Sequence, residues 1–187
     1  LGAMYYAGIG VSPDHREALK WYQKAADQGI AAAQNDAAVM YSNGDGTEKD
    51  EGKAFSLFLK SAEQGDPLAE NALAIMYAKG TATAQDYGEA IRWFMRSAEH
   101  GYAEAEMNIA RMYLKGLGVE KSGAAVVKWV RRAAEHGNAE AQYSLGNMYM
   151  TGRLVRQDSM EGLRWMAEAA AQGEERAAEL LRLLRQG

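Results

Sequence analysis

Cysteine is absent from the 187 residues, so the chain has no disulfide framework, no thiolate metal site and no cysteine nucleophile. Proline is scarce, at two residues. Hydrophobic runs stay far short of the ~18–20 residues that a membrane-spanning helix needs. Positive charge is not in excess either: the formal net charge is −4, which gives no global attraction to nucleic acid. What is plentiful is glycine, at 20 residues. With so little proline, that composition fits neither a Pro/Gly-rich disordered chain nor an all-β protein. The length suffices to bury a core without staples.

The glycines recur. Gly29, Gly65, Gly101, Gly137 and Gly173 stand 36 residues apart, as do Gly8, Gly44, Gly80, Gly116 and Gly152. Met-Tyr falls at 4–5, 40–41, 76–77, 112–113 and 148–149. Trp21, Trp93, Trp129 and Trp165 share a register in which Leu57 fills the missing slot, and Asp14, Asp50, Asp86 and Asp158 share another with Ser122. Independent markers with one period and no insertions mean stacked repeats.

Each unit reads as two helices. In the second copy the first helix runs from about Ala31 to Asn43 and carries Ala33, Ala37, Met40 and Tyr41 on one face. Gly44 suits the left-handed conformation that ends a helix. After a short loop, Asp50 is placed to cap the second helix, which carries Ala54, Phe55, Leu57, Phe58, Ser61 and Ala62 inward until Gly65 stops it. Nothing alternates with period two, so strands are not expected. Gly2 and Gly146 share a packing position with Ala38, Ala74 and Ala110, where only small residues fit. Gly52, Gly88, Gly123 and Gly162 fall in second helices with no periodic reason.

The register divides the chain into a partial copy 1–30, full copies 31–66, 67–102, 103–138 and 139–174, and a final segment 175–187. The first copy begins inside its own first helix, at the residues matching Ala37 onward. That leaves a packing face uncovered, and the natural protein is expected to extend further N-terminally. The last segment keeps Ala177, Leu181 and Leu184 inward, with Arg185 in place of the usual Tyr and charged outer positions, as a capping helix requires.

This pattern resembles the Sel-1-like repeat, a relative of the tetratricopeptide repeat. The fifth copy carries the family's residues at Ala141, Leu145, Gly146, Met148, Tyr149, Gly152, Val155, Asp158, Trp165, Ala169, Ala170 and Gly173. Departures are local: Leu57 and Ser61 in the second copy, and Ala82 and Leu154 where the loop's second Gly is expected. Those two loops are free to differ in shape, while the helix pairing stands. The resemblance implies an all-α, right-handed superhelical solenoid of antiparallel helix pairs, forming one domain over 1–187. It implies a non-catalytic adaptor or scaffold for protein–protein assembly, and, as the alternative, an immunity-type inhibitor of a toxic effector enzyme. Such proteins occur in bacteria. No targeting segment is present in this chain, and cytoplasm and periplasm or envelope both stay open.

In tetratricopeptide-like solenoids the first helices line the concave surface. By that resemblance the repeat-variable face of the first helices is the partner groove: Asn35, Val39, Asn71, Ile75, Met107, Asn108, Arg111, Tyr143 and Asn147. Amides both donate and accept, so they suit a partner's main chain. Met107 and Tyr143 offer adaptable apolar contact, and Arg111 suits a carboxylate. A protein or peptide partner is expected, without nucleic acid or membrane insertion; oligomeric state is not readable. On the second helices, Lys20, Arg92, Lys128 and Arg164 form one basic row and Lys24, Lys60, Arg96 and Arg132 another, with Asp27, Glu63, Glu99 and Glu135 three residues beyond the latter. Interleaved acids make this a salt-bridged solvent face.

Chemistry is not expected. His100 and His136 share a helix-end register with Gln28, Gln64 and Gln172, and no ligand set converges on them or on His15. The loop from Asn43 to Glu48 is acidic and Gly-rich but fails the EF-hand order. No phosphate-binding loop, nucleophile elbow or dinucleotide fingerprint occurs, so no cofactor, metal or catalytic residue is assigned.

Overall fold

The computed structural model describes residues 1–184, and the regular structure among them is helical throughout. α1 (Gly2–Ala7) and α2 (His15–Ala26) make the first pair, and α3 (Ala31–Asn43) and α4 (Glu51–Glu63) the second. α5 (Pro67–Lys79) pairs with α6 (Tyr87–Glu99), α7 (Ala103–Lys115) with α8 (Gly123–Glu135), and α9 (Ala139–Thr151) with α10 (Ser159–Ala171). α11 (Glu175–Leu184) follows alone. Every pair lies inside the limits set by the glycine spacing.

One local device builds all five pairs. Each first helix ends at a left-handed Gly: Gly8, Gly44, Gly80, Gly116 and Gly152 have φ between 71° and 81°. A short loop then reaches Asp14, Asp50, Asp86, Ser122 or Asp158, and this residue does two things. Its backbone N–H donates to the carbonyl of the Tyr in the preceding Met-Tyr pair, at 2.8–3.3 Å. Its side-chain oxygen accepts from the N–H three residues on, at 2.9–3.2 Å, and so caps the second helix. The repeat-wide Asp register is thus a loop closure and a helix start in one residue.

The two loops that lack their second Gly keep the common shape. Ala82 takes φ 59° and Leu154 φ 65°, alongside 75°, 70° and 66° at Gly10, Gly46 and Gly118. An L-residue held there costs about 1–2 kcal/mol. The departure therefore adds local strain rather than a new loop.

Two compact units form: Leu1–Ser97, and a second beginning at Ala98. In the first, Ala18, Leu19, Ala37 and Met40 make one buried cluster, joined by Tyr5, Tyr22, Tyr41 and Leu57. Ala38, Ala54, Phe58, Ala62, Ala69, Leu73 and Met76 make the next. Small Ala residues at the crossings let large ones from the facing helix interlock. Ser61, which replaces an Ala, donates instead to the Ala31 carbonyl at 2.8 Å.

In the second unit Ala105, Ile109, Met112, Val126, Trp129 and Ala133 are buried among α7 and α8. α9 and α10 approach closely where Gly146 meets Gly162: a Cβ on either would lie 3.0 Å from the other's carbonyl oxygen. Gly162 is thus a packing glycine. α11 docks through buried Ala177, with Leu180 and Leu181 half-buried against Met166 and Ala169. Leu184, expected inward, is 50% exposed at the end of α11. Arg185 lies outside the described residues.

Candidate partner-binding surface

The expected groove residues fall on α3, α5, α7 and α9, but their accessibility differs. Val39 on α3 is 37% exposed, and Asn147 on α9 is exposed. Asn71 and Ile75 on α5, Asn108 and Arg111 on α7, and Tyr143 on α9 are half-buried. Asn35 and Met107 are buried, at 8% and 4% exposed. Asn71 and Tyr143 share their repeat register yet stay half-buried, so burial at this register differs from copy to copy.

Arg111 is already engaged. Its guanidinium donates to Glu140 Oε2 at 2.7 Å and to Asn108 Oδ1 at 2.9 Å. A partner carboxylate would have to displace Glu140. Tyr143 is held from one side by the Arg176 guanidinium, 4.4 Å from its ring centre. It also packs against the Met166, Ala169 and Ala177 cluster, and with Asn147 it lines a cavity of about 170 Å³ shared with Leu114, Ser144, Arg153 and Leu154. In the first unit Val39 lines a smaller cavity, about 140 Å³, with Tyr6, Tyr22, Asp36 and Met40. Burial pushes the Asp36 carboxyl above the ordinary carboxylate range, opposed by hydrogen bonds from Asn35 and Tyr22, with Asp66 adding to the rise. Burial likewise raises the Tyr22 hydroxyl, with Asp36 contributing.

The second helices revise the expected charge ladder. In the first row, Lys20, Arg92 and Arg164 pair with Glu17, Glu89 and Glu161 one helical turn earlier, as on an ordinary solvent face. The second row does something else. Arg96 and Arg132 do not run along the surface to Glu99 and Glu135. They reach inward to fully buried glutamates: Arg96 Nε lies 3.1 Å from Glu70, and Arg132 Nε 2.5 Å from Glu106. Nη2 of each donates to the Ala62 and Ala98 carbonyls at 3.3 and 2.6 Å, near the ends of α4 and α6.

Sequence reasoning missed this buried polar row. Gln34, Glu70, Glu106 and Gln142 occupy one register and all are buried. Gln34 accepts from Gln64 and Gln142 from Gln172, each at 2.7 Å. Glu106 faces His136 Nδ1 at 2.9 Å. A signal was present: copies with Gln in the first register carry Gln at the helix end, and copies with Glu carry His. These are structural pairs, in which each buried polar group has its partner. Among the described residues no three His, Cys, Asp or Glu gather as a metal would need. No helix among them is long and apolar enough to cross a membrane.

Comparison with known proteins places this arrangement. A Sel1 repeat protein from Oxalobacter formigenes is 42% identical, with a TM-score of 0.90 over 94% of this chain and 72% of that one. A protective antigen from uropathogenic Escherichia coli strains, with an SLR fold, is 34% identical at TM-score 0.86. This chain aligns over 94% of its own length but only 38% of the antigen's. An immunity protein from Pseudomonas aeruginosa shares the fold at 21% identity and TM-score 0.62, covering 95% of this chain and 68% of that one. No curated protein matches the sequence. The Sel1 repeat model matches residues 1–30, 31–66, 67–102, 103–138 and 139–174, the same boundaries that the glycine spacing gives, and the chain belongs to the Sel1 repeat family.

Proposed function

We propose that this chain is a non-catalytic interaction module that binds a protein or peptide through the variable face of its first helices. Sel1 repeat proteins typically mediate protein–protein interaction, and the fold is generally non-catalytic. The observation that carries the finer reading is a contrast between faces. The inward face repeats Ala, Met and Tyr with little change, as stacking demands. The face bearing Val39, Asn71, Ile75, Asn108, Arg111, Tyr143 and Asn147 changes from copy to copy and leaves these side chains at least partly accessible. Nothing in helix pairing requires that variation. Asn35 and Met107 act from beneath, by shaping the surface rather than touching a partner.

Immunity-type inhibition is the narrower alternative. Its structural support is the Pseudomonas immunity protein, which at 21% identity speaks for the fold alone. An adaptor binds flexible segments at about micromolar Kd; an inhibitor binds one folded target at about nanomolar or tighter.

The test uses affinity capture from cells of the organism that makes the protein. Val39→Glu with Asn147→Arg alters the first-helix face, and Lys20→Glu with Arg164→Glu alters the second-helix face. Both variants change exposed positions, and circular dichroism checks their fold. The reading expects a captured protein to be lost from the first variant and kept by the second. Unchanged capture by a folded first-helix variant overturns it.

A further inference from the structure

Three departures from the repeat converge on one cavity. At the register of Asp36 the other full copies carry Ala72, Asn108 and Ser144. At the register of Tyr6 they carry Ser42, Ala78, Leu114 and Met150. At the register of Tyr22 they carry Phe58, Phe94, Val130 and Met166. Stacking is satisfied without an acid, without a tyrosine at position 6 and without a hydroxyl at position 22. Yet α1, α2 and α3 bring all three of these polar groups to the same cavity of about 140 Å³, with Val39 and Met40 completing it.

The walls are fixed. Tyr22 packs into the Ala18, Leu19, Ala37 and Met40 cluster, and a Cβ on Gly2 would meet its ring at 2.9 Å. Tyr6 stacks on His15 with centres 4.7 Å apart and planes 10° apart, and its hydroxyl donates to Asp45 Oδ2 at 3.4 Å. Asp36 is the charged group among the lining residues. Tyr22 and Asn35 favour its charged form against the burial that raises its carboxyl, and among the described residues no cation is paired with it. Asp66 adds a second negative charge nearby. A half-buried carboxylate between aromatic rings lacks one thing, a positive charge that also tolerates apolar walls.

From this juxtaposition we propose that the Tyr6–Tyr22–Asp36 cavity is a subsite for a cationic side chain, Lys or Arg, of the bound protein or peptide. The ammonium or guanidinium pairs with Asp36, and the aliphatic stem lies against Val39, Met40 and the tyrosine rings. The rings' negative faces favour a cation over a neutral group of the same size. A divalent metal is a poor fit, because one carboxylate does not supply its several oxygen ligands. This subsite rests on the first-helix face being the partner surface, and it sets which residue the partner places at the first copy.

The test separates the subsite from the larger surface by using small probes in place of the partner. Backbone amide NMR follows titration of the chain with N-acetyl-lysine-N-methylamide, and with the norleucine analogue that lacks the charge. The proposal expects saturable shifts at Tyr6, Tyr22 and Val39 with the lysine probe, with Kd on the order of millimolar and at least about tenfold weaker binding of norleucine. Asp36→Asn, which keeps shape and hydrogen bonding, is expected to abolish the difference between probes. Equal shifts from both probes, no localised shift with lysine, or an Asp36→Asn variant that still prefers lysine would each overturn it. The probe comparison on the unmodified chain decides the matter even if the variant does not fold. Failure here with continued partner loss in Val39→Glu/Asn147→Arg would remove the subsite and leave the surface standing.

Discussion

His136 Nδ1 lies 2.9 Å from Oε2 of Glu106, a fully buried carboxylate 30 residues earlier in the chain. Arg132 approaches the same carboxylate from the helix that His136 ends. Removing Arg132 leaves the buried charge with one partner, so Arg132→Ala is expected to cost about 2–3 kcal/mol, the lower end reflecting the partial exposure of the Arg. Replacing the whole set by that of the second copy (Glu106→Gln, Arg132→Lys and His136→Gln) is expected to stay within about 1 kcal/mol of the parent. Chemical denaturation of both variants checks the contrast.

Gly162 and Gly52 should respond oppositely to alanine. A Cβ at Gly162 would meet Met150 at 2.8 Å and the Gly146 carbonyl oxygen at 3.0 Å, so backbone must move. Gly162→Ala is expected to destabilise by about 1–3 kcal/mol. At Gly52, exposed in the first turn of α4, the nearest atom would be Asp50 Oδ1 at 3.5 Å. Gly52→Ala is expected to stabilise by up to about 1 kcal/mol, since alanine is the better helix former. Thermal midpoints measured side by side decide it.

Much of this was legible because a repeat is a constraint that copies itself. Helix ends, caps and small crossing residues recur every 36 residues, so position alone assigned them. Gly162 escaped because its role depends on a second exception, Gly146, across the interface of α9 and α10. Asn35 and Met107 were placed on the groove by register, but burial at that register differs between copies, with Asn71 and Tyr143 half-buried and these two buried. Arg96 and Arg132 were read along their own helices, while Glu70 and Glu106 lie on the first helix of the same copy. Periodicity reports what each copy shares; pairs between the two helices of a copy need three dimensions.

Ala82 supplies a direct check on loop strain. It holds φ 59° in the slot that Gly10, Gly46 and Gly118 fill elsewhere. Ala82→Gly is expected to raise stability by about 0.5–1 kcal/mol, the relief of left-handed strain less the extra entropy of an unfolded Gly. Ala82→Val should lower it, because a β-branched residue tolerates that region worse. Equilibrium unfolding of the two variants gives opposite signs.

Asp36 should carry a pH signature. Its folded carboxyl sits above the ordinary range, chiefly from burial. The folded state therefore holds the proton more tightly than the unfolded chain does. Ionised Asp36 lowers stability at neutral pH, and that penalty fades as pH falls through the raised value. Asp36→Asn is expected to be more stable than the parent at neutral pH and to lose that advantage in acid. Midpoints across a pH series test both the sign and the trend.

The most direct test of the central claim is site-specific photo-crosslinking in cells that make the protein. A photoreactive residue is placed at Val39 or Asn147 on the first helices, and at Arg92 or Arg164 on the second. Crosslinked partner at positions 39 and 147, with little or none at 92 and 164, is the predicted result. Partner captured from 92 and 164 while 39 and 147 stay uncrosslinked would contradict the account.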